Sequence, residues 1–129
     1  MHIFIKGTTT LQQIATEFSN IYPFLKLQFF KSVMSPLPTL VKVEDYQQSL
    51  IDLDCIIPDS HLSIQFWQTT DIVERTLSAH TGLYVEIYRK FDDSWIRTDG
   101  SDDLTLEEQN HLGSISGTNQ SNAYYQPPF

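Results

Sequence analysis

The sequence contains a single cysteine, Cys55, among its 129 residues. One cysteine excludes an intramolecular disulfide and a zinc site built from several cysteines, and it fits a reducing compartment. No apolar run reaches the roughly 18 residues that a membrane-spanning helix needs. Residues 1–7 are too short and too strictly alternating for a signal peptide. We therefore expect a cytoplasmic protein without a membrane span.

Basic residues are also scarce. The chain has 8 lysines and arginines against 16 aspartates and glutamates, for a formal net charge of -8. Proteins that bind nucleic acid or anionic membranes through their phosphates need an excess of lysine and arginine. The charge therefore argues against general nucleic-acid binding and against membrane-surface binding.

Recognisable catalytic motifs are missing as well. The five glycines form no phosphate-binding loop, and no Gly-x-Ser-x-Gly is present. The histidines have none of the short spacings that metal sites use. Carboxylates next to Cys55 raise the pKa of a thiol rather than activate it. The sequence predicts no catalytic, cofactor-binding or metal-ligating residue, and we expect a non-enzymatic protein.

Residues 92–108 hold seven of the sixteen carboxylates. Asp99 and Asp103 have the spacing of the first and fifth positions of a calcium-binding loop. The motif then fails, because Leu104 stands where the loop needs glycine and Asn110 stands where it needs glutamate. We interpret the segment as a turn, a loop and the acidic start of a helix.

The two halves of the chain repeat one pattern of apolar residues. A shift of 59 residues aligns His2 with His61, Ile14 with Val73, and Phe18 with Leu77. After a one-residue deletion, a shift of 58 aligns Leu25, Leu27 and Phe29 with Leu83, Val85 and Ile87. We predict one α+β domain over residues 1–113 with an internal duplication, about 1–58 and 60–113.

Local signals give each half the same order of elements. Alternating segments predict strands at residues 2–6, 24–30, 62–67, 83–88 and 95–98. A further strand at 39–43 is confined by its prolines to a sheet edge or a late start. Capping boxes begin helices at Thr10–Gln13 and Thr105–Glu108, and Asp71–Glu74 resembles a third. The last of these helices along the chain should end near Gly113.

These elements predict a tandem βαβ(β) repeat that forms one sheet with two helices on one face. A ferredoxin-like fold or a relative of it is the first choice, and a ubiquitin-like fold is the alternative. The segment 114–129 contains no charged residue and is rich in Ser, Asn, Gln and Pro, so we expect a disordered tail.

The predicted hairpin at 83–98 carries the composition of a binding surface, since Tyr, Trp and Arg are enriched at binding hot spots. The candidate surface combines this hairpin with the acidic loop. Its residues are Tyr84, Tyr88, Arg89, Trp95, Arg97, Asp99, Asp102 and Asp103.

Several segments resemble a family of small uncharacterised bacterial proteins. The most specific motif is Arg89-Lys90, four residues, Trp95, and then Asp-Asp-x-Thr-Leu-Glu-Glu-Gln-Asn at 102–110. The resemblance covers most of residues 1–113. It implies a bacterial, cytoplasmic protein and no known activity, ligand or catalytic residue.

We expect a module that binds a protein partner or itself through the exposed sheet face and the acidic loop. One alternative is a small-molecule binding protein or enzyme with a cleft near the hairpin and the acidic loop, at residues 83–103. This cleft would use His61 together with Trp95, Arg97 and Asp99. Another alternative is an acidic antagonist of a basic partner, whose affinity would fall steeply with salt.

Overall fold

The strands of this protein form two separate antiparallel sheets, in a computed structural model that describes residues 1–116. The elements along the chain are β1 (His2–Ile5), α1 (Leu11–Ile21), β2 (Leu25–Met34), β3 (Pro38–Lys42), β4 (Ser60–Ser63), α2 (Thr70–Thr81), β5 (Tyr84–Phe91), β6 (Ser94–Arg97), a 3-10 turn (Asp99–Ser101) and α3 (Leu106–Ile115). Strands β1 and β4 pair with each other, and the other four have the order β3-β2-β5-β6. The α+β class is confirmed.

The single sheet that the sequence predicted is wrong. Strand β2 is bonded to β3 on one side and to β5 on the other, and β5 is bonded to β2 and β6. The hairpins β2–β3 and β5–β6 thus occupy the outer edges of the central strands β2 and β5. Neither central strand has a free edge with which β1 or β4 could pair. The four-residue strands β1 and β4 pair with each other instead, as a ribbon.

The strand order and the registers are those expected of two half-chains related by a twofold axis. Gln28 lies directly opposite Glu86 in the β2–β5 pair, and these positions are 58 residues apart. Ile3 lies opposite Leu62 in the ribbon, and they are 59 residues apart. A twofold axis would exchange β2 with β5 and β3 with β6, which reproduces the observed order. The duplication itself stays a prediction.

One face of the four-stranded sheet carries the core. Its side chains are buried and come from the two central strands: Leu25, Leu27, Phe29, Val85 and Ile87. The helices cover this face with buried residues of their own, among them Leu11, Ile14, Phe18, Val73, Leu77 and Leu106. The ribbon adds Ile5 and Leu62, and Ile64 follows directly after β4; all three are fully buried.

The helix starts follow the local signals in two of three cases. The capping boxes Thr10–Gln13 and Thr105–Glu108 are both formed. Helix α2 instead begins after Thr69, so Asp71 lies in its first turn and accepts a hydrogen bond from Thr69 Oγ1 at 2.6 Å. Glu74 is therefore free of a capping role.

Gly113 does not end α3, because the helix continues to Ile115. A Cβ at position 113 would lie 2.7 Å from Phe24 Cβ and 2.9 Å from the Phe24 carbonyl oxygen. The glycine thus permits a close approach between α3 and the start of β2. Of the predicted disordered tail, residues 114 and 115 are helical, and residues 117–129 lie outside the described part.

Within residues 1–116, no helix combines the length and the apolar character that crossing a bilayer demands.

The contact between α3 and β2 gives a stability prediction. We expect Gly113→Ala to lower the free energy of unfolding by about 1–3 kcal/mol, because the added methyl group meets backbone as well as side-chain atoms. Gly100→Ala is the matched control, since a Cβ there meets nothing within 4 Å. Urea unfolding followed by circular dichroism measures both, and equal stabilities of the two variants would contradict the close packing.

Candidate functional site

The second face of the four-stranded sheet points away from the helices, because side chains alternate along a strand. We call it the open face. Its members follow from the strand registers: Lys26, Gln28, Phe30, Leu40, Lys42, Tyr84, Glu86, Tyr88, Lys90, Trp95 and Arg97.

Cross-strand pairing brings residues from both halves of the chain together on this face. Lys26 lies opposite Tyr88, which lies opposite Arg97. Phe30 lies opposite Tyr84, and their ring centroids are 6.0 Å apart in an edge-on arrangement. The face is therefore a joint product of β2, β5 and their hairpin partners.

Trp95 lies between two lysines. The Nζ atoms of Lys26 and Lys90 are 5.1 Å and 5.5 Å from the centroid of its ring, and Lys26 Nζ is also 5.9 Å from the ring of Tyr88. Such cation–π contacts are worth about 0.5–1 kcal/mol each at exposed positions. They hold the long lysine side chains across the aromatic surface.

Three lysines of the open face lack a carboxylate partner. Within residues 1–116, no ion pair involves Lys26, Lys42 or Lys90, whereas Lys31 and Arg75 elsewhere each contact an aspartate. Burial lowers the pKa of Lys26, and the nearby charge of Lys42 lowers it further. In a chain with twice as many acidic as basic residues, this face is locally cationic.

Arg97 is committed to a carboxylate of the same face. It donates to Glu86 Oε1, and its Nε lies 3.7 Å from Asp99 Oδ2. Glu86 is 7% exposed, and its Oε2 has no hydrogen-bond partner in the described chain. A buried carboxylate is costly without a cation beside it. Arg97 therefore stabilises Glu86, and it is not available as an anion-binding group.

A second carboxylate, that of Glu74, binds a backbone group of β5 at the part of its edge that β6 does not cover. Its Oε2 accepts a hydrogen bond from the N–H of Ile87 at 2.8 Å, and Ser78 Oγ accepts one from the N–H of Val85 at 3.2 Å. Glu74 and Ser78 are one turn apart on α2, and Val85 and Ile87 are alternate residues of β5. Two backbone donors that β6 leaves unpaired are thus satisfied.

The pKa of Glu74 is raised to about 7. Burial is the main cause, and the negative charges of Glu86, Asp102 and Asp71 raise it further, while the hydrogen bond from Ile87 lowers it. Glu74 therefore changes its charge near neutral pH.

The structure divides the predicted binding surface. Tyr84, Tyr88, Trp95 and Arg97 lie together on the open face, and Asp99 lies at its rim beside Arg97. Arg89 belongs to the helix side of the sheet. Its guanidinium donates to Gln109 Oε1 of α3 at 3.0 Å, so its role is to attach that helix.

The acidic loop is tied to the start of α2. The carbonyl of Asp102 accepts from the N–H of Asp71 at 3.2 Å, and the carbonyl of Leu104 accepts from the N–H of Thr70 at 2.9 Å. Asp103, between them, is exposed. Asp102 and Asp103 thus belong to a connection that is hydrogen-bonded to the start of α2.

Lys26, Phe30, Lys42 and Lys90 were missing from the predicted surface. The alternation of residues 24–30 places Lys26 and Phe30 on one face. Only the pairing of β2 with β5 and β3 shows that this face continues that of Tyr84 and Tyr88. The sequence feature that points to these residues is the predicted duplication, because it makes β2 and β5 equivalent strands.

The alternative cleft near Trp95 would also have used His61, and the structure separates these residues. His61 lies on β4 in the ribbon and packs against Phe4 in a tilted arrangement, with ring centroids 4.6 Å apart. Ser60 Oγ lies 2.7 Å from Nδ1 of His80, not of His61. No group of three or more His, Cys, Asp or Glu within the described part could hold a metal ion.

No family model, curated protein or solved structure matches this chain. The resemblance to small bacterial proteins stays a prediction.

The raised pKa of Glu74 gives a prediction on pH. The folded state holds this proton more tightly than the unfolded chain, whose value is near 4.5. The free energy of unfolding should therefore fall as the pH rises from about 4.5 to above 7. In Glu74→Gln the amide oxygen still accepts from Ile87, so this part of the pH dependence should disappear, and the variant should gain stability over the native protein at pH 8.

Urea unfolding at pH 5 and pH 8 measures the effect. Glu17→Gln is the matched control, because Glu17 is an exposed glutamate of α1. The assignment fails if Glu74→Gln keeps the pH dependence of the native protein.

Proposed function

We propose that this protein is a non-enzymatic binding module whose open face takes an acidic segment of a partner protein. The observation that carries the proposal is the concentration of unpaired lysines among aromatic side chains on one sheet face. The candidate contact residues are Lys26, Phe30, Lys42, Tyr84, Tyr88, Lys90 and Trp95.

Charge supports an acidic partner. Lys26, Lys42 and Lys90 have no carboxylate partner within residues 1–116. Burial, and then repulsion from Lys42, lower the pKa of Lys26, and an incoming carboxylate would offset both effects. Complementary charges favour such a partner and accelerate its association.

The aromatic residues support a protein rather than a small anion. Tyr84 is 48% exposed, and Trp95 offers a ring held between two lysines. Tyrosine and tryptophan combine a large apolar area with a polar group, and they dominate the energetics of protein interfaces. The open face thus combines apolar anchors with cations that select the partner.

We also propose a location in the bacterial cytoplasm, which is supported by the resemblance to small bacterial proteins and by the single cysteine, Cys55. The matching registers of the two halves support an internal duplication. Self-association through the open face is the competing use of these residues, and it requires acidic groups of one copy to reach the lysines of another.

A fluorescently labelled peptide that alternates Glu with Val and Thr is a direct probe. We expect it to bind in low salt and to lose at least roughly tenfold in affinity in the double variant Lys26→Glu/Lys90→Glu, because two attractive charges become repulsive. Lys6→Glu/Arg75→Glu is the matched control, since it reverses the same number of charges at two exposed residues outside the open face. Fluorescence anisotropy measures both variants, with Trp95→Ala as a test of the aromatic contact.

Equal binding by the native protein and the double variant would contradict the proposal. Tighter binding of single-stranded RNA than of the acidic peptide would assign the face to nucleic acid instead. A mass by light scattering that doubles with concentration, in the native protein but not in the double variant, would assign it to self-association.

A further inference from the structure

Two tight turns at equivalent places in the two halves of the chain have the same hydrogen bonds. The first turn runs from Lys6 to Thr9. The N–H of Thr9 donates to the carbonyl of Lys6 at 3.0 Å, and Thr9 Oγ1 accepts from the N–H of Lys6 at 2.9 Å. The second turn runs from Gln65 to Gln68, where the corresponding distances are 3.1 Å and 2.7 Å, the latter to Gln68 Oε1. Each turn leads from a strand of the ribbon into a helix.

Each turn is also bonded to a later segment of its own half. The carbonyl of Gly7 accepts from the N–H of Ile51 at 2.9 Å, and the carbonyl of Phe66 accepts from the N–H of Glu107 at 3.1 Å. The second turn thus repeats the backbone contacts of the first with different side chains.

The central side chains of the second turn are two exposed aromatic rings. Phe66 and Trp67 stand where the first turn has Gly7 and Thr8, and they are 55% and 62% exposed. Within residues 1–116, neither ring contacts another aromatic ring or a cation. Because glycine and threonine form the same turn, its backbone does not require aromatic residues. Exposed apolar groups that the fold does not need are typical of a binding surface.

The surroundings of the second turn are acidic. Residues 65–71 are hydrogen-bonded to the segment 101–108, and the two segments contain five carboxylates and no lysine, arginine or histidine. The carboxylates are those of Asp71, Asp102, Asp103, Glu107 and Glu108. The corresponding segments of the first half, 6–12 and 45–52, contain two carboxylates and one lysine. The second turn therefore differs from the first in charge as well as in its aromatic rings.

Two of these carboxylates are free to meet a partner. Asp71 contacts Arg75 at 3.3 Å, and Glu108 accepts from the N–H of Thr105 at 3.1 Å. Asp103 and Glu107 are exposed, and no basic group of the described chain pairs with them. A lysine or arginine of a partner would therefore meet unpaired carboxylates beside the turn.

We propose that Phe66, Trp67, Asp103 and Glu107 form a second binding surface, which takes a basic segment of a partner protein. The two rings cover apolar side chains of the segment and the stems of its lysines and arginines, and the carboxylates pair with their charges. None of these residues belongs to the open face. The inference therefore does not rest on the proposed function.

Charge favours a basic partner over the other occupants of an aromatic surface. The chain has a formal net charge of -8, so two copies of it repel each other at long range. An anionic membrane is repelled for the same reason. A basic segment is attracted both by the carboxylates beside the turn and by the chain as a whole.

The test uses a fluorescently labelled peptide that alternates Lys with Leu and Thr. The double variant Phe66→Gly/Trp67→Thr copies the residues of the first turn, so we expect it to fold like the native protein. It should bind the peptide at least roughly tenfold more weakly by fluorescence anisotropy, because the apolar anchors are lost. Met34→Thr/Leu37→Thr is the matched control, since it removes two apolar side chains that are 75% and 71% exposed at the β2–β3 hairpin.

A second pair of variants tests the carboxylates. Asp103→Asn/Glu107→Gln should weaken binding of the same peptide by at least roughly threefold, because two attractive charges are lost. Glu17→Gln/Asp59→Asn removes two charges from exposed residues elsewhere and is the control. Equal losses in both double variants would reduce the effect to net charge and overturn the proposal.

Trp67 itself reports on the contact. The chain has two tryptophans, so Trp67 is the only one in Trp95→Phe. We expect the peptide to shift the emission of Trp67 to shorter wavelength and to protect it from quenching by acrylamide, because the exposed ring becomes covered. An unchanged spectrum with the peptide bound would contradict the assignment of the turn. This measurement and the carboxylate variants also decide the question if Phe66→Gly/Trp67→Thr does not fold.

The remaining outcomes separate the occupants. Equal binding of the peptide by the native protein and by folded Phe66→Gly/Trp67→Thr would overturn the proposal. A mass by light scattering that rises with concentration in the native protein, but not in that variant, would assign the turn to a second copy. A shift of the Trp67 emission with phosphatidylcholine vesicles but not with the peptide would assign it to a lipid surface.

Discussion

The antiparallel pairing of β2 with β5 is the constraint on which the rest of this structure depends. It places Leu27 opposite Ile87 and Phe29 opposite Val85 on the core face, where all four side chains are buried. The same register fixes the other face. A slip of one residue would exchange the two faces of the slipped strand, exposing its core residues and burying residues such as Lys26. The register of β2 against β5 therefore determines both the core and the open face.

The edges of the central strands show how the remaining polar groups are accommodated. On the β5 side, α2 supplies Glu74 and Ser78 to backbone donors that β6 does not reach. On the β2 side, the hydroxyl of Tyr46 donates to the carbonyl of Leu27 at 2.8 Å. Side chains of α2 and of the connection after β3 thus form the hydrogen bonds that a longer neighbouring strand would otherwise form.

The sequence predicted the parts of the fold that are decided locally. Capping boxes at Thr10 and Thr105 depend on residues three positions apart, and the confinement of β3 to an edge depends on prolines within or beside it. The separate ribbon of β1 and β4 was missed, because it depends on which strands occupy the edges of β2 and β5. Arg89 was assigned to the binding surface because arginine is common at binding hot spots. The alternation along β5 instead places it on the same face as Val85 and Ile87, against α3.

At the centre of the β2–β5 pair, Gln28 lies opposite Glu86. Gln28 turns its amide to the carbonyls of Phe29 and Val43, whereas Glu86 turns its carboxylate to Arg97. A symmetric assembly of two identical chains would have to place the same residue at both positions, either two amides or two adjacent buried carboxylates. A single polypeptide is free of that restriction. Joining the two halves in one chain permits unlike partners, an amide and a carboxylate, at the centre of the β2–β5 pair.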